Sequence, residues 1–188
     1  MLTRLALLLL FSTLVACSAP RTQPLSATDV VEDIADRYYA WALETVPEQA
    51  YFAGIHVERH GGLQDLSPAA LARLRADEDA FFAEIDAVDA ADLVGTPQWV
   101  TYALLRQELR SNIDRRVCRP ELWDVNQMGG WHLAYPQIAT LQPVATAEQR
   151  EQALQRWSAY PGLVEQATRN LQSGVEQGYT APRAVVKR

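Results

Sequence analysis

The chain has 188 residues with 17 basic and 23 acidic side chains, a formal net charge of −6, and only two cysteines, Cys17 and Cys118. A surface of that sign repels phosphate and offers no basic patch whose contacts would release counterions, so nucleic acid is excluded as a partner. Two cysteines, one of them with the separate role described next, also exclude a disulfide framework.

Met1-Leu-Thr-Arg4 is a short basic start, and Leu5 to Val15 is an apolar stretch broken only by Ser12 and Thr13, which together outline a signal peptide over residues 1–16. The stretch is too short to span a bilayer, which needs about 20 apolar residues. Leu14-Val15-Ala16-Cys17 matches the lipobox of bacterial lipoproteins, where small residues admit the signal peptidase and the cysteine thiol takes a diacylglyceryl group. Cys17 is therefore the expected lipid attachment site. A cysteine carrying more than one acyl chain gives stable anchoring, so the expected partner is a membrane, reached from the exported side of the cell envelope. Ser18 stands where an inner-membrane retention signal would show aspartate, which points to the outer membrane if the cell has one. Without residues 1–16 the balance becomes 16 basic against 23 acidic side chains, net −7.

Residues 17–27 read as a tether, and from residue 28 the pattern is all-α. A first helix is predicted from Thr28 or Asp29 to about Thr45, with Val30, Ile34, Tyr38 and Trp41 on one face and Val31, Ala35, Tyr39 and Ala42 beside it. Pro47 interrupts, and Glu48 to Ala53 can form a further turn or two before Gly54. Ser67 as cap and Pro68 at the first helical position announce a second long helix to about Val88, with a stripe of Leu71, Leu74, Phe81, Phe82, Ile85 and Val88. Asp77, Glu78 and Asp79 interrupt that stripe and read as a solvated face. A third helix is expected from Thr96-Pro97, carrying Val100, Leu104, Leu105, Leu109 and Ile113 and ending before Pro120. Cys118, among Arg115, Arg116 and Arg119, reads as a half-buried structural thiol.

Pro120, Gly129, Gly130, Pro136 and Pro143 break the rhythm over residues 119–145, which are expected to be irregular or a set of short helices. Thr146-Ala-Glu-Gln149 is a capping box opening a long helical segment. Pro161 is expected to kink or divide it after Tyr160, and Gly174 and Gly178 to close it before Tyr179. Thr180-Ala181-Pro182 resembles one more helix start six residues before Arg188, too short to be stable alone, from which a truncated sequence is expected.

Four segments together resemble the N-terminal part of the bacterial domain of unknown function 885 family, across almost all of residues 28–188. They are Pro47-Glu48-Gln-Ala-Tyr51-Phe-Ala-Gly54, Asp65-Leu-Ser-Pro68, Trp123-Asp-Val-Asn126-Gln127-Met-Gly-Gly130 and Gly178-Tyr-Thr-Ala-Pro-Arg183. The last two are the most specific. The resemblance implies a mostly helical, zinc-dependent, peptidase-like hydrolase, often exported, with a His-Glu and Pro-Gly-His signature in its C-terminal half. This chain has no such signature. What the resemblance implies is therefore a chain that alone carries no catalytic residue, no metal site and no cofactor, and that is inactive until joined to a metal-binding half.

The residues themselves offer one tempting metal pair, His56-Val-Glu-Arg-His60. It fails the His-Glu-x-x-His pattern at its second position, and Gly54, Gly61 and Gly62 argue against a helix through it, so two exposed histidines on a solvated connection are expected. No Gly-x-Ser-x-Gly elbow, phosphate loop or dinucleotide fingerprint occurs. The richest stretch runs from Trp123 to Tyr135, where Trp123, Asn126, Gln127 and His132 gather around paired glycines. Glycine lets backbone approach a ligand, aromatics supply apolar area and amides can pair with a peptide, so these four are the candidate substrate-cleft residues. The same composition also suits a tightly packed loop. Two functions stay open: the N-terminal part of an anchored peptidase-like hydrolase with a peptide as substrate, or a complete small lipoprotein acting as a binding or scaffolding module.

Overall fold

A computed structural model describes residues 25–126, 128 and 130–183. These form six α-helices and no strand: α1 (Ala27–Thr45), α2 (Gln49–Ala53), α3 (Pro68–Asp86), α4 (Gln98–Arg115), α5 (Trp131–Leu141) and α6 (Ala147–Glu176). Short 3-10 turns at Ala90–Leu93, Arg116–Cys118 and Pro120–Leu122 join them. Cys17, Gln127 and the residues after Arg183 lie outside the described residues. No helix among those described is long and apolar enough to cross a membrane.

Helix α1 begins at Ala27, one or two residues before the expected Thr28 or Asp29, because Ser26 caps it. The Ser26 hydroxyl accepts from the Asp29 N–H, and the Asp29 carboxylate accepts from the Ser26 N–H, so two otherwise orphaned donors are satisfied reciprocally. Helix α3 starts as expected, with the Ser67 hydroxyl accepting from the Ala70 N–H and Pro68 in the first turn. Together α1, α3 and α4 bury Val31, Ile34, Ile85, Tyr102, Leu105 and Leu109, with Leu93 closing one end of this core.

The face of α4 is the expected one at Leu105 and Leu109 but not at Val100 and Leu104. Tyr102, Leu105 and Leu109 point inward, whereas Val100 and Leu104 are 60% and 67% exposed. Nor does Thr96 cap α4: its hydroxyl donates to the Leu93 carbonyl at 2.8 Å and so fastens the preceding turn. The acidic run on α3 is exposed at Asp77 and Asp79, as expected of a solvated face, but not at Glu78. Glu78 is 7% exposed and accepts from Arg116 Nη2 at 2.9 Å, Asp79 accepts from Arg116 Nη1 at 2.7 Å, and Asp77 accepts the Trp41 indole N–H at 3.0 Å. The run therefore ties α3 to α1 and to the turn after α4.

A second core holds Tyr135, Ile138 and Leu163, flanked by Tyr51, Leu63, Leu66, Trp131, Trp157 and Tyr160, so that α5, α6 and the 47–66 connection pack together. The capping box at Thr146 and Gln149 forms as read from the sequence. Pro161, however, does not divide α6, which runs unbroken for 30 residues. The missing N–H removes one hydrogen bond, but Pro161 sits on the exposed face while Arg156 and Leu163 on either side are anchored in the core. Packing of the flanks outweighs the local loss. Gly174 is also inside the helix and buried, because α6 there crosses Pro120–Leu122 so closely that an added Cβ would lie 1.9 Å from the Leu122 carbonyl oxygen. Only glycine fits that crossing.

Candidate functional site

The close crossing of α6 over Leu122 brings the two most specific motifs together. After α4 the chain turns at Arg119, whose φ of 47° is in the left-handed region that side chains other than Asn, Asp and Gly seldom occupy. Its guanidinium donates to Gln177 at 2.6 Å and stands 5.3 Å from the centre of the Tyr179 ring. Glu121, 3.5 Å from Arg119, also accepts from Arg75 of α3 at 3.0 Å. The same turn fixes Trp123, whose indole N–H donates to the Cys118 carbonyl at 2.7 Å.

Asn126 is held by a local turn: its Nδ2 donates to Asp124 at 2.8 Å and its Oδ1 accepts from the Met128 N–H at 2.9 Å. Gly130, at φ 108°, then starts α5, and an added Cβ would fall 3.2 Å from His132 Nδ1. A side chain there would meet both strain and the imidazole. His132 packs edge-on against Trp131, and its Nδ1 is buried without a hydrogen-bond partner among the described residues.

The other wall comes from the end of α6. The Tyr179 N–H donates to the Gly174 carbonyl at 2.8 Å and the Gly178 N–H to the Val175 carbonyl at 3.1 Å, a Schellman ending with Gly178 at φ 81°. That ending turns Tyr179, Thr180 and Ala181 back toward Trp123, Asn126 and His132. Between them lies a cleft of about 530 Å³, floored by Leu122, Leu171 and Val175. Three of the four residues picked from the sequence, Trp123, Asn126 and His132, thus share one cavity. Tyr179 to Ala181 belonged to a recognised motif but were not read as site residues, and the floor residues of α6 looked like any apolar stripe.

A buried polar network lies apart from the cleft and corrects the reading of the histidines. His60 is 8% exposed rather than solvated, while His56 is exposed as expected. Tyr51 Oη is 2.7 Å from His60 Nδ1 and accepts from Arg156 Nη1 at 2.9 Å. The Tyr51 oxygen is thus shared between the Arg156 guanidinium and the His60 ring. Burial, then the Arg156 charge, then His56 hold His60 below its usual pKa. Arg156 itself is fully buried, donates to the Gly62 carbonyl at 2.8 Å and lies 5.0 Å from the Tyr51 ring centre. Glu48, 5% exposed, accepts from the Tyr135 hydroxyl at 2.5 Å and from the Gln64 N–H at 2.8 Å. Burial and then Glu48 push the Tyr135 hydroxyl well above the ordinary range, so it stays a donor. The Pro47 to Gly54 motif is thereby explained as structural: Glu48 and Tyr51 fasten the 47–66 connection onto α5 and α6.

These residues do not fit a zinc ion. His60 Nδ1 is committed to Tyr51, and among the described residues no group of three or more His, Cys, Asp or Glu side chains could hold a metal. Cys118 is exposed rather than half-buried, since the left-handed turn at Arg119 leaves it outside the helix packing.

The molecule is thus an all-α protein in which two loop motifs, separated in sequence by α5 and α6, meet at one mainly apolar cleft. It belongs to the family described as bacterial protein of unknown function (DUF885), which matches residues 47–188, a span that takes in both the buried network and the cleft. No curated protein matches the chain.

Proposed function

We propose that this chain is the N-terminal helical part of an envelope-anchored, peptidase-like hydrolase, held to the membrane by a lipid on Cys17, whose metal-binding residues are supplied by sequence beyond Arg188. The observation that supports this most is the convergence of Trp123, Asn126 and His132 with Tyr179 to Ala181 on one cleft. Helix-capping motifs recur wherever helices start, but two glycine-rich, aromatic loops brought to the same cavity are what a binding wall requires. In this reading the chain binds and orients a peptide, and no bond-breaking step falls to its own residues.

The test is to express the reading frame continued downstream of codon 188 and to assay it on a mixed peptide library with and without zinc chelation. Chelator-sensitive hydrolysis, lowered at least tenfold by His132→Ala while the melting temperature is kept, is the expected outcome. An in-frame stop at once, or a longer product that cleaves nothing, would overturn the hydrolase reading in favour of a small binding or scaffolding lipoprotein. For the anchor, Cys17→Ser should move the protein from the membrane to the soluble fraction, and equal membrane recovery of both forms would remove the lipid from the proposal.

A further inference from the structure

The chemistry of the cleft narrows what it can hold. The described residues that line it include no carboxylate, ammonium or guanidinium group, in a chain where such groups are 21% of all residues. Its floor is Leu122, Leu171 and Val175, the Trp123 and Tyr179 side chains also line it, and its few polar groups include Asn126 and Thr180 from the two motifs and His132 from the first turn of α5. On the other side of Trp123 runs a groove of opposite character, where Arg116 pairs with Glu78 and Arg75 with Glu121. Trp123 lines both the cleft and this groove. Arg119, which is engaged by Gln177, Glu121 and the Tyr179 ring, does not line the cavity.

Resting on the reading of the cleft as a substrate wall, we propose that it is a side-chain pocket selecting an aromatic or branched aliphatic residue of a peptide. The apolar side chain lies on Leu171 and Val175 between the two rings, and the flanking peptide groups face His132 and Thr180. A volume of about 530 Å³ is in the range of pockets that enclose small ligands and leaves room for the flanking peptide groups. A charged side chain would lose its hydration against this lining without gaining an ionic partner, which is the physical source of the selection. A plain acyl chain fits the floor but leaves the polar groups of the two motifs facing hydrocarbon, so a peptide is the better occupant.

The experiment uses the 188-residue chain and ligand-observed NMR titrations with the N-acetyl amides of phenylalanine, leucine, lysine and aspartate, and with hexanoate. The phenylalanine and leucine amides are expected to bind at least tenfold tighter than the lysine and aspartate amides, a factor corresponding to about 1.4 kcal/mol. Val175 is 65% exposed at the cleft, so Val175→Arg should fold normally and weaken phenylalanine amide binding at least tenfold, whereas Val100→Arg, on the outer face of α4, should not. Equal binding of the four amides, no binding, tighter binding of hexanoate, or indifference to Val175→Arg would each overturn the pocket. The outcome is separate from that of the hydrolase reading. Amide selectivity without hydrolysis by the longer product keeps the pocket and removes the enzyme, and hydrolysis without amide selectivity does the reverse.

Discussion

Substituting Gly174 by alanine sets two effects against each other whose sizes decide the sign. In a helix interior, alanine is favoured over glycine by about 1 kcal/mol. Against this, a Cβ at Gly174 would lie 1.9 Å from the Leu122 carbonyl oxygen and 2.8 Å from its carbon, both backbone atoms. Relief demands a shift of more than an ångström in either α6 or the Pro120–Leu122 turn, an overpacking cost of about 3 kcal/mol, the upper part of the usual range because no flexible side chain can yield. The expected net loss is about 2 kcal/mol, or a fall in melting temperature of about 4–8 °C for a chain of this size. Gly162, on the same helix, has nothing within 4 Å of an added Cβ. Gly162→Ala should therefore be neutral or stabilising by up to about 1 kcal/mol. Thermal and urea unfolding followed by circular dichroism at 222 nm measures both. If the two substitutions behave alike, α6 does not cross Leu122 at the distance described, and the cleft loses its floor.

Since burial and Arg156 depress the pKa of His60 below that of the unfolded chain, the unfolded state binds the proton more readily. Its contribution to stability is therefore complete above the ordinary histidine pKa of about 6.5 and is lost as pH falls from there through the folded value. Urea midpoints between pH 8 and 5 should fall more steeply for the natural protein than for His60→Gln, and parallel curves would contradict the buried, neutral assignment. Tyr51→Phe removes the oxygen shared by Arg156 and His60, and should cost about 1–3 kcal/mol in the same unfolding assay. Cys118, exposed in the fold, should react with a thiol reagent in native Cys17→Ser protein about as fast as in denatured protein, and strong native protection would place it inside instead.

Much of the fold was legible because it is written in local signals. Ser67-Pro68 and Thr146 to Gln149 carry their helix starts in neighbouring residues, and both form as read. The failures share a different cause. Pro161 is a strong local breaker, yet whether α6 breaks is settled by what Arg156 and Leu163 gain from packing, which no short window contains. Glu78 looks solvated until Arg116, 38 residues away, is folded against it. His60 looks exposed until α6 delivers Arg156 and Gln152 to it from over 90 residues on. The cleft followed the same division. Its loop residues were visible as motifs, but its floor was invisible, since Leu171 and Val175 differ from core residues only in what stands opposite them.

Arg119 is where local strain and long-range contact meet, and the two can be separated. A left-handed residue with a Cβ costs about 1–2 kcal/mol relative to a relaxed one, a penalty that glycine escapes. Its side chain offsets this by linking Gln177, Glu121 and the Tyr179 ring, the last worth about 0.5–1 kcal/mol at a partly exposed position. Arg119→Gly relieves the strain and loses the contacts, so its stability should stay within about 1 kcal/mol of the natural protein. Arg119→Ala keeps the strain and loses the contacts, so it should fall below the glycine variant by about 1 kcal/mol. Both variants sever the tie between the turn carrying Trp123 and the segment carrying Tyr179, so both should bind the phenylalanine amide more weakly even where stability is retained. Equal unfolding midpoints for the two would mean that the turn relaxes out of the left-handed conformation. Unchanged amide binding would mean that the Schellman ending at Gly178 positions Tyr179 without help from Arg119.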